Sequence, residues 1–455
     1  MRSRSISMFL GLAGTSLLLL QVHAATQTAV VPQDPGPRPG AAGAGNPLPG
    51  LTAQQLAFFE AGRAEFNESE EIADGLGPRL NLDSCVGCHS QPASGGSSPP
   101  VNPQVAFATA GGVDILPPFL TSHGPVREAR FVRNADGSAD GGVHALFTIS
   151  GRAGANGCSM TQPDFAGASA NNNVVFRIPT PVFGAGLIEM IPDSAIVAGA
   201  QVTASARAAL GIRGRPNFHV SGRTITGQTN NNGNDGTIAR FGWKAQNKSL
   251  LLFAGEAYNV EMGVTNELFP TERDEVAGCQ NSPGPNSVTE MEAATPIDAT
   301  SAIEKFSVFM RLLAPPLPSP DTPGGAASIA SGKAIFSSVG CALCHTASMR
   351  TGAARLPMLA TKVVPLYSDL LLHDMGVGLA DGVSQGEASG REFRTAPLWG
   401  LGQRLFFLHD GRASDLVAAI AAHKSTGSEA SGVVGNVQQL TPRQKQDLLN
   451  FLRSL

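Results

Sequence analysis

Two copies of one pentapeptide pattern limit this chain more than any other feature: Cys85-Val86-Gly87-Cys88-His89 and Cys341-Ala342-Leu343-Cys344-His345. C-x-x-C-H is the pattern by which haem is attached covalently. Two thiols about one helical turn apart each add to a vinyl group of the porphyrin, and the following histidine turns toward the iron. Cys85, Cys88, Cys341 and Cys344 are therefore expected to hold two haem c groups, with His89 and His345 as proximal ligands. A shared zinc site fits less well, because each cysteine pair carries its own histidine in its own half of the chain. A thioredoxin-like pair would account for one copy, not two.

Covalent haem attachment takes place outside the cytoplasm, and the N-terminus agrees. Arg2 and Arg4 precede a mostly apolar run from Met8 to Leu20, and Val22-His23-Ala24 ends in a small residue. That run is too short to span a bilayer. Residues 1–24 read as a signal peptide and residues 25–50, rich in Ala, Pro and Gly, as a flexible leader. No second long apolar run follows, so the expected protein is periplasmic with no stable membrane span after cleavage. Thirty-two basic against 36 acidic residues, without a basic stripe, argue against a nucleic-acid partner. A hydrophobic content of 42% argues against wholesale disorder. Cys158 and Cys279 remain. In an oxidising compartment they form either a structural disulfide, the commoner outcome, or a redox-active thiol pair.

The two halves repeat. Gly62-Arg63-Ala64-Glu65-Phe66 precedes the first haem motif, and Gly332-Lys333-Ala334-Ile335-Phe336 precedes the second. Phe176-Arg177-Ile178-Pro179-Thr180-Pro181-Val182-Phe183-Gly184-Ala185-Gly186 matches Phe393-Arg394-Thr395-Ala396-Pro397-Leu398-Trp399-Gly400-Leu401-Gly402 with one residue dropped. A repeat this long marks homologous domains, not a solenoid. The expected fold is mainly α: two cytochrome c-like haem domains, 51–314 and 326–455, from an internal duplication, joined by a Pro-rich linker at 315–325. Loops and short strands, roughly Asn217 to Pro296, enlarge the first. Within them the Asn/Gly-rich stretch from Gln228 to Gly236 reads as a solvated turn or a cation loop. The last helix should start at Thr441 and Pro442 and bury Leu448, Phe451, Leu452 and Leu455.

Four further stretches carry a family resemblance: Val175 to Glu189, Arg240-Phe241-Gly242-Trp243-Lys244-Ala245, Tyr367 to Gly376, and Leu408-His409-Asp410-Gly411-Arg412-Ala413. Over about residues 51–455 the chain resembles the bacterial di-haem oxidoreductases, often labelled thiol oxidoreductases. These are related to the di-haem cytochrome c peroxidases and to the di-haem enzyme that matures tryptophan tryptophylquinone. In the related peroxidases a distal methionine of the second haem follows an H-[DS]-G turn by fourteen residues. Here His409 begins that turn and His423 stands fourteen residues on, so the resemblance implies a His345/His423 iron. Two nitrogen ligands usually give a lower potential than His/Met. The resemblance also brings a bound calcium ion, which no residues of this sequence mark.

The repeat locates the same position in the first half at Ala206 or Arg207, depending on register. Neither ligates iron, so the first haem is expected to have an open distal side. Glu189, just after the repeated turn, is the candidate proton carrier for O–O cleavage there. His123 and His144 are rival groups that would close the site. His373 and His409, each followed by Asp, are expected in Asp–His pairs or propionate contacts. Trp243 and Trp399 are candidate electron relays, with core packing as the plainer role.

These features favour an exported di-haem oxidoreductase with peroxide, oxygen or an oxidisable substrate at the first haem. The second haem would exchange electrons with a small redox protein or a quinol-linked donor or acceptor. The alternatives are an electron-transfer cytochrome with both irons six-coordinate, and a thiol oxidoreductase using Cys158 and Cys279.

Overall fold

Helices form where the chain supplies caps. Helix α1 (Ala53–Asn67) begins at Thr52, whose hydroxyl accepts from the Gln55 amide while Gln55 reaches back to the Thr52 amide. Strands β1 (Glu128–Phe131), β2 (Val143–His144) and β3 (Val174–Arg177) form an antiparallel sheet with β1 central, Glu128 opposite Arg177. Helix α2 (Leu250–Met262) is capped by Ser249 and stopped by Gly263 at φ 77°. Helix α3 (Ala302–Leu312) has a Ser301/Glu304 capping box. Helix α4 (Ala326–Ser338) precedes the second haem motif, and α5 (Leu416–Ala422) ends at His423. Helix α6 (Pro442–Ser454) is capped by Thr441 and Gln444, and Leu448, Phe451, Leu452 and Leu455 are all buried. This computed structural model describes residues 1, 31–110, 114–218, 238–273, 276, 278–280 and 284–455. Apart from Met1, the expected signal peptide lies outside the described residues, as does the stretch from Gln228 to Gly236. Among the described residues the protein is helix-rich, with sheets of only two or three strands.

The sequence repeat recurs as a repeated contact. Helix α1 crosses α3 at Gly62, where a Cβ would stand 2.4 Å from the Lys305 carbonyl oxygen. Helix α4 crosses α6 at Gly332, where a Cβ would stand 2.0 Å from the Asp447 carbonyl oxygen. Both crossings need a residue without a side chain. Four residues on, Phe66 packs on Phe309 at 5.0 Å and Phe336 on Phe451 at 5.4 Å. The glycine-rich turns behave alike: Gly186 lies against the Arg311 carbonyl of α3, and Gly402 against the Arg453 carbonyl of α6. This pairing of Gly186 with Gly402 favours the register that sets Arg207 opposite His423.

Two differences from the sequence reading stand out. The stretch 25–50 is not a loose leader over its described part. Asp34 accepts from Arg453 Nε at 2.6 Å and Nη2 at 2.7 Å, and from the Leu416 amide at 2.7 Å. Arg38 donates from its backbone to the Gly402 carbonyl at 2.6 Å and from Nε to the Arg453 carbonyl at 2.8 Å. A buried arginine at the end of α6 needs an anion, and this segment supplies it. Nor does the linker divide two separate cores. Met349, Leu359, Val364, Leu366, Leu370, Leu371 and Trp399, all beyond it, belong to the same apolar cluster as Phe59, Phe66 and Phe309. A second cluster joins α4, α5 and α6.

Candidate functional site

Each haem motif opens on its own large cavity. The first is lined by Phe66, Cys85, Cys88, His89, Trp243 and Tyr258 among others. The second is lined by Phe336, Cys341, Cys344, His345, His409 and His423 among others. None of the four motif cysteines is in a disulfide.

The histidines of the two motifs are held alike. His89 Nδ1 lies 3.0 Å from the Gly96 carbonyl, and His345 Nδ1 lies 3.0 Å from the Tyr367 carbonyl. Burial pushes both imidazoles down to about 4, so both are neutral at neutral pH; neighbouring His423 adds to the effect on His345. His423 shares this pattern, with Nδ1 2.7 Å from the Ala419 carbonyl and a value lowered by burial. A carbonyl on Nδ1 keeps the proton there and leaves Nε2 as the lone-pair nitrogen, the form a metal ligand takes. No described residue bonds Nε2 of any of the three.

The two cavities differ in what else they hold. His345 and His423 line the same cavity. Among the described residues lining the first, His89 is the one histidine. His123 is exposed, and His144 is taken by Asp140 at 2.8 Å and stacked on Phe131. Met262 and Met310 are buried in its apolar wall. Ala206 is exposed, and Arg207 turns to Asp369 at 2.7 Å, next to the second motif's surroundings. His373 is clamped at both nitrogens, Nδ1 to Glu429 at 2.8 Å and Nε2 to Asp369 at 3.0 Å. His409 lines the second cavity, but its ring stacks on Phe393 at 4.3 Å and stands 3.9 Å from Asp410.

Glu189 does not line either cavity. Its carboxylate accepts from Arg311 Nε at 2.6 Å and Nη2 at 3.1 Å, and from the Leu250 amide at 2.8 Å. It ties α3 to the first turn of α2, and the expectation of a proton carrier at this position is corrected accordingly. Cys158 and Cys279 are joined as a disulfide, with neither sulfur in the wall of a haem cavity. That leaves the thiol oxidoreductase alternative without a free thiol pair.

Between the cavities runs a smaller cleft lined by Trp243, Trp399, Arg394 and Arg404. Trp243 lines all three spaces, with its Nε1 donating to the Ile178 carbonyl at 2.8 Å. Trp399 lines the cleft alone, packed against Gly184.

Haem fits this donor set on a further ground. Burial pushes Arg394 and Arg404 down to about 10, and no described carboxylate pairs with either. Both line the second cavity. In the first cavity Arg127 Nε is buried without a hydrogen-bond partner, while Arg177 is ion-paired with Asp381. Buried guanidinium groups facing a cavity call for anionic partners, and haem carries two propionates. Nothing in the sequence marks these arginines as cavity residues, although Arg394 sits in the repeated Phe-Arg turn.

The family described as "Di-haem oxidoreductase, putative peroxidase" matches residues 159–455. Among solved structures, hydrazine synthase from Kuenenia stuttgartiensis matches at 20% identity and a TM-score of 0.23. That match covers 35% of this chain and 56% of the other. A search of curated proteins found no match.

Proposed function

This chain belongs to the di-haem oxidoreductase family, and on that premise we propose that it is an exported enzyme that reduces peroxide, or uses it to oxidise a second molecule. Haem supplies redox-active iron able to bind peroxide and to store and pass electrons. Cys85 and Cys88 hold one haem and Cys341 and Cys344 the other, through thioether bonds. His89 would hold the first haem's iron, and His345 and His423 would hold the second's. The repeated helix crossings support an internal duplication, with haem domains at 51–314 and 326–455 that share part of their core.

The unlike cavities divide the labour. His345 and His423, each held by a carbonyl, would both offer Nε2 to the second haem. That suits electron exchange with a small redox protein or a quinol-linked partner. The wall of the first cavity offers no second histidine among the described residues, which would leave room for a small oxidant beside His89. Trp243, shared by both cavities, is the electron relay between them; Trp399 packs the cleft beside it. The buried arginines hold the propionates and exclude bulk water.

The observation that carries this reading is the pairing of His345 with His423 in one cavity and, among the described residues, the lack of such a pair in the other. A low-temperature electron paramagnetic resonance spectrum of the oxidised, haem-loaded protein tests it. One high-spin and one low-spin iron are expected, and His423→Ala should convert the low-spin signal. Two low-spin irons would refute the open first site. A low-spin signal that survives His423→Ala would refute the ligand assignment.

A further inference from the structure

A buried cluster of charged side chains, Arg207, Asp369, His373 and Glu429, stands beside the second haem motif. His373 belongs to a short strand (Leu372–Asp374) and is 3% exposed. Its Nδ1 lies 2.8 Å from Glu429 Oε2, and its Nε2 lies 3.0 Å from Asp369 Oδ2. His373 and Glu429 line the cavity of His345 and His423, and His373 Nδ1 is 3.8 Å from Cys344 Sγ. The first half of the chain completes the cluster. Arg207, which the repeat sets opposite His423, leaves a short helix (Ala204–Ala209) and donates from Nη2 to Asp369 Oδ2 at 2.7 Å. A Cβ at Gly214 would stand 2.5 Å from His373 Cε1, so only glycine lets that segment pass over the ring.

The hydrogen bonds fix the charge of this imidazole. A neutral imidazole has one N–H and one lone pair. Here both ring nitrogens face carboxylate oxygens that other donors already occupy. Asp369 Oδ2 takes the Arg207 guanidinium, and Oδ1 takes the Leu371 amide at 3.0 Å. Glu429 Oε2 takes the Arg213 and Gly214 amides at 3.0 and 3.1 Å. Neither oxygen facing the ring has room for a proton of its own, so the ring carries both N–H groups and is an imidazolium. Burial alone would discharge it, but two carboxylates within hydrogen-bond distance outweigh burial. The cations Arg207 and His373 balance the anions Asp369 and Glu429. With a neutral His373 the same cluster would set one unbalanced negative charge against the cavity. The other histidines of this wall, His345, His409 and His423, are all held low by burial. Arg394 and Arg404 are its remaining charges.

We propose that His373 is a standing imidazolium that raises the reduction potential of the second haem, with Asp369 and Glu429 holding its proton and Arg207 balancing their charge. The proposal rests on the second haem sitting in this cavity on Cys341 and Cys344. A positive charge nearby favours reduced iron, which carries one positive charge less, and a buried charge is little screened by salt. Two nitrogen ligands usually lower a haem's potential, and the imidazolium offsets part of that fall. His373 makes and breaks no bond in the reaction; it sets the energy at which the second haem takes up and releases an electron. It does not line the first cavity, so its effect falls on one haem of the two.

Spectroelectrochemical titration of the haem-loaded protein tests this without reference to turnover. His373→Gln removes the charge and keeps a hydrogen-bond donor. It should lower the second haem's midpoint potential, shifting the electron equilibrium between the haems roughly tenfold toward the first, about 59 mV for one electron. Glu429→Gln removes a negative charge, keeps an acceptor for Nδ1, and should move the same potential upward. The first haem's potential and the low-spin resonance signal should stay as in the wild type in both variants. A merely structural role would disturb the low-spin signal or move both variants in one direction. Nitrogen-15 resonance of the reduced, histidine-labelled protein gives a second readout. One histidine, missing from His373→Gln, should keep both ring nitrogens protonated near pH 8, well above the ordinary imidazole value of about 6.5. Should His373→Gln lose haem, the nitrogen-15 spectrum and Glu429→Gln carry the test. A neutral His373 near pH 8, or an unchanged second-haem potential in haem-replete His373→Gln, would overturn the proposal. The spin state of His423→Ala bears on the axial ligand alone, so failure of that assignment is told apart from failure of this one. A protein that takes up no haem at Cys341 and Cys344 would overturn both.

Discussion

Replacing Glu189 with Gln separates a structural carboxylate from a catalytic one. In the wild type the carboxylate makes two hydrogen bonds to Arg311, at 2.6 and 3.1 Å, and one to the Leu250 amide at 2.8 Å. Its side chain is 8% exposed, and that of Arg311 is 31% exposed. Breaking a fully buried ion pair costs roughly 3–5 kcal/mol. Water reaches Arg311, so the cost here falls to about 2–3 kcal/mol. Unfolding entropy of about 2.1 cal/mol/K per residue over a chain this long gives roughly 1 kcal/mol/K. The expected result is therefore a fall in Tm of about 2–3 °C. Two haems per chain should be retained, with wild-type peroxide consumption per haem. Thermal melting followed by circular dichroism, alongside peroxide consumption, checks both. A loss of turnover of about 100-fold or more at unchanged Tm would refute the structural role and return Glu189 to the chemistry.

The disulfide closes a span of 121 residues, so the double variant Cys158→Ser/Cys279→Ser should lose up to about 5 kcal/mol of stability in the chain-entropy picture. It should keep its peroxide turnover; loss of turnover without loss of stability would favour thiol chemistry. Burial would raise Asp34, but hydrogen bonds from Arg453 and from the Gly36 and Leu416 amides hold it below the ordinary carboxylate value. A lowered folded value means its stabilisation is complete above the unfolded value near pH 4 and is lost as pH falls through the folded one. The Tm gap between wild type and Asp34→Asn should hold constant above about pH 5 and close below about pH 4; a gap that widens in acid would contradict this. Trp243→Phe should slow electron exchange between the haems after rapid one-electron reduction, with both iron spectra unchanged. An unchanged exchange rate would remove Trp243 from the path.

Much of the chemistry was legible before any folding was considered, and the reason is local. Thioether attachment needs two cysteines and a histidine within a single turn of one chain, so five consecutive residues carry the whole signal, twice. The repeat was legible because helix crossings such as those at Gly62 and Gly332 demand a bare backbone, which limits the residue type at that point. The fate of Glu189 was not legible. Its neighbourhood in sequence says that it follows the turn, but its partner Arg311 comes from α3, more than a hundred residues on, and only packing turns the carboxylate away from the cavity. Asp34 likewise reads as part of a loose leader until Arg453 is buried beside it. Sequence alone determined where the two C-x-x-C-H motifs and the two-fold repeat fall, because both depend on residues close together in the chain. Tertiary structure decided which side chains line each cavity, because a carboxylate or imidazole takes its surroundings from the charges and the solvent that distant segments bring to it or keep away.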